Sequence, residues 1–250
     1  MDLLAFLENR ATVRQYSDKE VSKELINRLL EVAGHASTTG NMQLYSVVVT
    51  RDAEKKKALA PTHFNQPTFT NAPVAITFCA DFNRFVKWCE ESGAEPGYDN
   101  EFSFFTAAID TLLLAQTFAI AAENEGLGIC YLGTTTYTAE SISKILNLPK
   151  RVVPITTITV GYPKSEPAKT DRIASTSWIH EEEEYKDYSA EDIKKIFGYK
   201  DEMESNKKFI AENNKKSLAQ VFTDIRYTKK DNEAMSKSFF DFVRKQFMCE

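Results

Sequence analysis

The sequence is poor in the residues that build metal and disulfide sites. It has three histidines and four cysteines in 250 residues, and Cys79, Cys89, Cys130 and Cys249 form no CxxC pair. No HExxH pattern occurs either, so the sequence predicts no metal site. Cys79 and Cys130 lie in apolar runs, where a thiol usually acts as a small hydrophobe. We therefore expect free thiols and a cytoplasmic location.

Basic charge and long apolar runs are also scarce. The formal net charge is -5, whereas a nucleic-acid-binding protein needs positive charge to neutralise phosphates. The longest apolar stretch covers residues 111–122, which is too short to span a bilayer and is interpreted as a buried core helix. The first nine residues lack the basic-then-apolar order of a signal peptide. We expect neither a nucleic-acid partner nor a membrane partner.

The known phosphate-binding glycine patterns are missing as well. The sequence has no Walker A motif, and the glycines at 126, 128 and 133 do not fit the Rossmann spacing. A tight turn that feeds a core strand explains Gly126 and Gly128, which leaves Gly133 and Thr134 as a candidate point of close approach to a ligand. No Ser/His/Asp or Cys/His constellation is evident. This favours an enzyme whose cofactor performs the difficult chemistry.

Hydrophobic periodicity predicts helices that flank a few strands. Ser22 is a predicted N-cap, and Gly126 is the predicted end of a long helix that is apolar almost all round and therefore expected to be buried on most sides. The predicted helices cover 1–8, 22–36, 53–59, 102–125, 139–146, 190–197 and 232–247, and the predicted strands cover 47–49, 72–79, 129–132 and 152–160. This order indicates an α+β or α/β sandwich.

The composition changes after residue 163, where charge rises and apolar density falls; residues 181–184 are four glutamates. Too few apolar anchors remain for an independent domain. We expect a core over 1–163 and an extension over 164–250 that packs on the core or on a partner subunit.

Two basic clusters and one polar loop are candidate binding segments. If residues 10–16 are extended, Arg10, Thr12 and Arg14 share one face and suit a phosphate or another anion. Lys169 and Arg172 form a second basic pair after the last strand. Taken alone, each cluster is more simply explained as surface charge or an ion pair. The polar loop 37–43 suits a heteroaromatic ring, but a capped helix end and a turn use the same residues.

Taken together, these segments resemble the nitroreductase family, and most closely its NADPH-dependent, oxygen-insensitive nitroreductase and flavin reductase branch. The match runs in order over nearly the whole chain, and six or seven motifs in register are a strong signal although each is weak alone. It covers residues 10–16, 37–43, 78–84, 121–128, 131–133, 146–149 and 161–163, with Lys169 and Arg172.

The resemblance implies a three-layer α/β sandwich with a central antiparallel or mixed sheet, a long buried helix and a C-terminal helical arm. It also implies a domain-swapped homodimer that holds FMN at the subunit interface. The residues that match FMN contacts are Arg10, Ala11, Thr12, Val13, Arg14, Gln66, Tyr131, Leu132, Gly133, Thr134, Lys169 and Arg172, with Thr38, Gly40 and Gln43 supplied by the partner subunit.

The chain departs from the family pattern at several of these positions. The family often has serine where Thr12 stands, and its usual Lys-x-Arg pair is here separated by two residues, so Arg172 is a firmer match than Lys169. Lys215 and Lys216 match a position that binds the 2′-phosphate of NADPH in this branch. Ile210 occupies another such position and cannot serve, and Lys207 or Lys208 is the alternative that could compensate, so the sequence only favours NADPH over NADH.

The implied mechanism is a ping-pong cycle in which NAD(P)H gives hydride to the flavin N5 and a small planar aromatic acceptor then takes the electrons. Candidate acceptors are nitroaromatics, quinones and free flavin. No side-chain nucleophile or base is expected, and Arg14 is the candidate cation that stabilises the reduced ring. The alternatives are a non-catalytic flavin-binding protein of the same fold and a fold relative with another reductive substrate.

Overall fold

The computed structural model describes residues 2–182 and 184–248. Met1 in the first predicted helix, Glu183 in the glutamate run and Cys249 lie outside the described residues. The chain divides into two compact units, one formed by residues up to 169 and from 236 onward, and the other by 170–235.

Helices and a few strands alternate along the chain, as the periodicity predicts. The strands are β1 (Tyr45–Thr50), β2 (Val74–Asp81), β3 (Gly128–Leu132) and β4 (Val152–Gly161). The helices are α1 (Leu3–Glu8), α2 (Lys23–Ala33), α3 (Ala53–Leu59), α4 (Pro67–Thr70), α5 (Asn83–Glu91), α6 (Glu101–Asn124), α7 (Thr134–Tyr137), α8 (Ala139–Leu146), α9 (Ala190–Glu202), α10 (Glu204–Glu212), α11 (Leu218–Val221) and α12 (Lys229–Phe247). Single 3-10 turns cover Thr39–Asn41, Ala60–His63 and Ser175–Ser177, and a π turn covers Phe222–Arg226.

The four strands form one antiparallel sheet in the order β1-β2-β4-β3. Every residue of β2 is buried, because this central strand has neighbours on both edges and packed faces on both sides. Its sequence is accordingly apolar without alternation. The predicted α+β sandwich with an antiparallel sheet is confirmed.

The predicted ends of several helices are also confirmed. The Ser22 side chain caps α2 by accepting from the backbone of Leu25, and α3 and α8 have the predicted bounds. Gly126 has φ +77° after α6. Its N–H donates to the Glu123 carbonyl at 3.0 Å, and Leu127 N–H donates to the Ala122 carbonyl at 3.0 Å. This pair of bonds is the Schellman arrangement that favours glycine.

Helix α6 corrects one expectation. The sequence predicts burial on most sides, but a single chain buries only one face, which packs on the sheet through residues such as Phe118 and Ala119. The opposite face is apolar and open, with Phe102 78% and Phe105 60% exposed. The helix is long and apolar enough to cross a membrane by length and composition, with 44% of the relevant window buried. Periodicity measures apolarity and does not identify what covers each face.

The unit over 170–235 has its own polar and apolar anchors. Ser189 and Asp192 form a capping box at the start of α9. The Asp201 carboxylate accepts from the backbone of Leu218 at 2.8 Å, and Leu218 and Val221 are buried. These contacts order a segment whose sequence is dominated by charge.

Candidate functional site

The predicted anion-binding segment 10–16 runs from β3 to the residues that follow β4. Val13 N–H donates to the Ile129 carbonyl at 3.0 Å, and Ser17 N–H donates to the Tyr162 carbonyl at 2.8 Å. Val13 is buried and Arg14 is exposed. The segment is therefore tied at one end to β3 and at the other to the residues after β4, and Arg14 faces away from the core.

Two glycines make this approach sterically feasible. A Cβ atom on Gly128 would lie 2.5 Å from the Val13 Cβ, and one on Gly161 would lie 2.7 Å from Tyr16 Cδ1. Gly128 lies within β3, so its explanation as a turn residue is wrong. The chain needs glycine there because Val13 packs directly against the strand.

Tyr16 fixes the end of the segment. Its hydroxyl lies 2.7 Å from Thr159 Oγ1 and donates to the Val13 carbonyl oxygen at 3.1 Å. Burial raises the pKa of Tyr16. The phenol therefore stays neutral and anchors the segment that carries Arg10, Thr12 and Arg14.

Arg10 forms a bidentate ion pair with Glu123, the residue near the end of α6. Nε donates to Oε2 at 3.0 Å and Nη2 donates to Oε1 at 2.9 Å. The hydrogen bond to Glu123 raises the pKa of Arg10. The Glu123 side chain is 9% exposed, so a nearly buried carboxylate fixes the orientation of the Arg10 guanidinium. The ordinary ion-pair interpretation is thus correct for Arg10, which has Nη1 outside the pair.

A cavity of about 440 Å³ opens beside this pair and is lined by Asn9, Arg10 and Glu123 among others. The Lys169 ammonium donates to Asn9 Oδ1 at 3.4 Å. One of the two residues of the second basic cluster therefore lies next to the first cluster, although the two are far apart in sequence.

Arg14 has a different environment. Its side chain is exposed, and within residues 2–182 and 184–248 it forms no ion pair. Burial raises the pKa of the nearby Cys130 thiol, and the charge of Arg14 partly offsets that rise. Arg14 is thus a cation beside β3 that is available to a ligand.

The far end of β3 presents backbone to open space. Leu132 is buried, and the following Gly133 is exposed, with no atom within 4 Å of a Cβ placed there. Thr134 begins α7, and its hydroxyl lies 2.9 Å from His63 Nδ1. Earlier on the strand, the Tyr131 hydroxyl donates to Gln116 Oε1 at 3.3 Å, and burial raises its pKa.

Gln66 follows an unusual turn that is tied to α7. Phe64 and Asn65 both have left-handed backbone, with φ +54° and +50°. Gln66 follows as the extended residue before α4 and is half-buried. The Thr138 hydroxyl donates to the Thr62 carbonyl at 2.7 Å, which ties this turn to α7.

The polar loop 37–43 is organised by Asp110, a residue on the buried face of α6. Asp110 Oδ1 accepts from the backbone N–H of Thr39 at 2.9 Å and from its hydroxyl at 3.0 Å, and Oδ2 accepts from Leu44 N–H at 3.3 Å. Gly40 and Gln43 are exposed, both with φ +54°. Sequence reasoning missed Asp110, and an acid within an otherwise apolar run was the available signal.

This loop precedes β1, whereas the 10–14 segment lies beside β3. The order β1-β2-β4-β3 places these strands at opposite edges, three strand spacings or roughly 14 Å apart. A single chain therefore assembles 10–14 and 131–134 and leaves Thr38, Gly40 and Gln43 elsewhere.

The remaining candidates lie in the unit over 170–235. Arg172 Nη1 donates to the Asp171 carbonyl at 2.9 Å. Lys215 pairs with Asp224 at 2.8 Å, while Lys216 is exposed and its ammonium forms no ion pair within the described parts of the chain. Among the described residues there is also no group of three or more His, Cys, Asp or Glu side chains that could hold a metal ion.

Comparison with known proteins assigns the fold to a family. The model of the nitroreductase family matches residues 7–162. A Cr(VI) reductase from Pseudomonas sp. strain G-1 is 33% identical over 200 residues, which are 80% of this chain and 81% of that protein. An NADPH-dependent FMN reductase from Bacillus subtilis strain 168 is 33% identical over 175 residues, 69% of this chain and 70% of that protein.

A crystal structure from Bacteroides fragilis NCTC 9343 is 56% identical, with a TM-score of 0.96 over 98% of this chain and 100% of that chain. The match extends through the whole architecture, including the segments that carry the candidate residues. The chain belongs to the nitroreductase family.

Proposed function

We infer that the protein is an FMN-dependent oxidoreductase that takes reducing equivalents from NAD(P)H and passes them to a small planar acceptor such as a nitroaromatic, a quinone or a flavin. The observation that carries this inference is the juxtaposition at β3. Arg14 is exposed, forms no ion pair among the described residues and lies beside β3, and the open backbone of Gly133 follows the same strand, in a member of the nitroreductase family. The relatives named as an FMN reductase and a Cr(VI) reductase support the same reaction class.

The donor set fits a phosphorylated heteroaromatic cofactor. Arg10, Thr12 and Lys169 gather cationic and hydroxyl donors at one end of the segment 10–16, and such donors match phosphate oxygens. At the other end, the lack of a side chain on Gly133 leaves room for a flat ring against the backbone. Val13, with Ala11, supplies the backbone that connects the two ends.

Bound FMN supplies the hydride chemistry at N5, and the protein supplies position and charge. Arg14 places a cation where negative charge develops on the ring, which stabilises that charge without a proton transfer. Gln66, Tyr131 and Leu132 would border the ring, and Arg10, whose orientation Glu123 fixes, would hold the phosphate. The donor and the acceptor occupy the same open face in turn, and alignment substitutes for a dedicated nucleophile or base.

The active form is a homodimer with Thr38, Gly40 and Gln43 contributed by the partner subunit. Two observations support this assembly. The open face of α6 exposes aromatic side chains such as Phe102 and Phe105, and an exposed apolar patch of this kind is typical of a protein interface. The loop also lies at the sheet edge opposite Arg14, so a second copy is needed to bring them together.

NADPH is the favoured donor, with Lys216 the better candidate for its 2′-phosphate because Lys215 is already paired with Asp224. Arg172 is proposed to complete the phosphate site. The free thiols at Cys79, Cys89 and Cys130 support a reducing, cytoplasmic compartment. We also propose that residues 164–250 act as an extension of the 1–163 core that packs on the core and on the partner.

The test is flavin content and turnover of the purified protein. We expect a yellow protein with one FMN per chain and NADPH oxidation that depends on an added nitroaromatic or quinone. Arg14→Ala should slow turnover by about 10- to 100-fold, whereas Arg28→Ala, which removes an exposed arginine on α2, should leave it unchanged. A protein that binds no FMN contradicts the proposal, and FMN binding without turnover above free FMN would indicate a binding protein instead.

A further inference from the structure

His63 is a fully buried histidine beside the segment proposed to contact the flavin ring. It ends the turn Ala60–His63, and its Nδ1 lies 2.9 Å from the Thr134 hydroxyl oxygen. Its ring packs against Phe69 with the ring centres 4.3 Å apart. The two hydrogen-bonded residues are 71 positions apart in sequence, so their contact is a product of the fold.

The protonation state of the imidazole follows from its surroundings. Burial lowers the pKa of His63 to about 4, so the ring is neutral near pH 7 and carries one N–H. Nε2 is buried and has no hydrogen-bond partner among the described residues. A buried N–H without an acceptor is rarer and more costly than an unfilled acceptor. The proton therefore lies on Nδ1, which donates to Thr134 Oγ1.

This donation determines what Thr134 can do. Its oxygen accepts from His63, and the hydroxyl hydrogen is then directed away from the imidazole, toward another acceptor. Thr134 directly follows the exposed Gly133 at the end of β3. The hydroxyl is thus a donor beside the open backbone where a ring fits.

The same contact also fixes the turn that carries Gln66. The bond from Thr138 to the Thr62 carbonyl is a second tie between this turn and α7. Between the ties and Gln66 the chain passes through two left-handed residues, Phe64 and Asn65. Such a conformation costs free energy and persists only when neighbouring contacts hold it.

We propose that His63 is a positioning residue for the flavin ring: it directs the Thr134 hydroxyl toward the ring and holds Gln66 in register with Gly133 and Thr134. This rests on the proposed FMN function. The imidazole acts through Thr134 and takes no part in electron transfer.

The experiment compares His63→Asn with His63→Leu in the purified protein. Asparagine places an amide N–H near the position of Nδ1, whereas leucine keeps apolar bulk without a donor. We expect His63→Leu to weaken FMN binding about tenfold, the effect of one buried hydrogen bond, and to shift the absorption maximum and the midpoint potential of the bound flavin. His63→Asn should stay within about twofold of the wild-type affinity.

Thr134→Val supplies an independent test that does not alter the imidazole. It should reproduce the spectral shift of His63→Leu, and the double variant should be no worse than either single variant, since both remove the same contact. Equal losses in His63→Asn and His63→Leu, or additive losses in the double variant, would overturn the proposal. So would an unshifted flavin spectrum in a folded Thr134→Val protein. If the wild type binds no FMN in the same titration, the proposed function itself fails.

Discussion

The two outer edges of the sheet carry candidate FMN residues in contrasting settings. Beside β3, the segment with Arg14 is hydrogen-bonded to the Ile129 carbonyl, packed onto Gly128 and anchored by Tyr16. Before β1, the loop with Gly40 is held by the buried carboxylate of Asp110 and by Arg84 of α5, whose guanidinium donates to the Gln43 carbonyl, and it has several left-handed residues. One edge is built by backbone hydrogen bonds and side-chain packing within its own chain, and the other depends on two side-chain anchors and leaves Gly40 and Gln43 exposed.

Helix α6 links these two edges. Asp110 near its middle anchors the loop, and Glu123 near its end orients Arg10. The two carboxylates are thirteen positions apart in sequence, which corresponds to roughly 20 Å along a helix. The same helix exposes the apolar face proposed to meet a second copy. A single element therefore sets the distance between the two half-sites that one chain contributes, and it carries the face proposed to meet the partner.

The largest effect is predicted for a substitution that disrupts the packing of Val13 on β3. Gly128→Ala places a Cβ within 2.7 Å of three Val13 carbons, and such overpacking should lower the free energy of unfolding by about 3 kcal/mol and release bound FMN. Denaturant unfolding and FMN titration measure both effects. Gly133→Ala is the matched control, since it has open space around its Cβ and should weaken FMN binding without loss of stability. Equal stability in the two variants would show that Val13 does not pack as described.

The second prediction concerns pH and the turn beside β3. The unfolded chain binds a proton at His63 near pH 6.5, whereas burial lowers the folded pKa to about 4. The stabilising contribution is therefore complete above pH 6.5 and falls as pH drops toward 4, by about 3 kcal/mol in total. Denaturant unfolding from pH 7 to 4 should show this loss in the wild type and not in His63→Asn. Parallel pH profiles for the two proteins would contradict the buried, neutral imidazole.

A smaller effect is expected when one anchor of the other edge is changed. Asp110→Asn replaces one acceptor oxygen with an amide donor that faces the N–H of Thr39 or Leu44, at a cost of about 1–3 kcal/mol. FMN affinity should fall with stability, because the loop loses its conformation. Asp52→Asn on the exposed cap of α3 is a control for the loss of one negative charge. A folded Asp110→Asn protein with unchanged FMN affinity would remove the loop from the site.

The smallest effect is expected outside both edges. Lys216→Ala should raise the KM for NADPH by about 3- to 10-fold, the effect of one exposed charge contact of about 1 kcal/mol, and should leave the KM for NADH unchanged. Lys194→Ala, which removes an exposed lysine of α9, is the matched control. A parallel rise in both KM values would assign Lys216 a general role instead of 2′-phosphate recognition.

Local patterns predicted most of the elements. The bounds of α3 and α8 follow from helical spacing and breakers, and the end of α6 follows from Gly126 because its left-handed φ is a local requirement. The basic segment with Arg14 and the polar loop with Gly40 were both identifiable as candidates, since their residue types suit a phosphorylated ring.

The missing information was long-range. His63 and Thr134 meet only because the fold brings α7 to the turn after α3, and the role of Gly128 depends on a side chain more than one hundred positions away. Asp110 directly precedes the apolar stretch 111–122 in sequence, and its role depends on Thr39 and Leu44, which are more than sixty positions away. The open face of α6 could not be recognised either, because an apolar surface awaiting a partner has the same composition as a buried one.

The central claim is that the FMN site is shared between two copies, and intersubunit complementation tests it most directly. An Arg14→Ala chain and a chain with Thr38→Ala and Gln43→Ala should each be nearly inactive alone. If the two edges come from different copies, refolding an equal mixture places one intact site in half of the dimers and should restore about a quarter of the wild-type turnover. Turnover that remains at the level of the separate variants would show that each chain builds its own site, which would contradict the account.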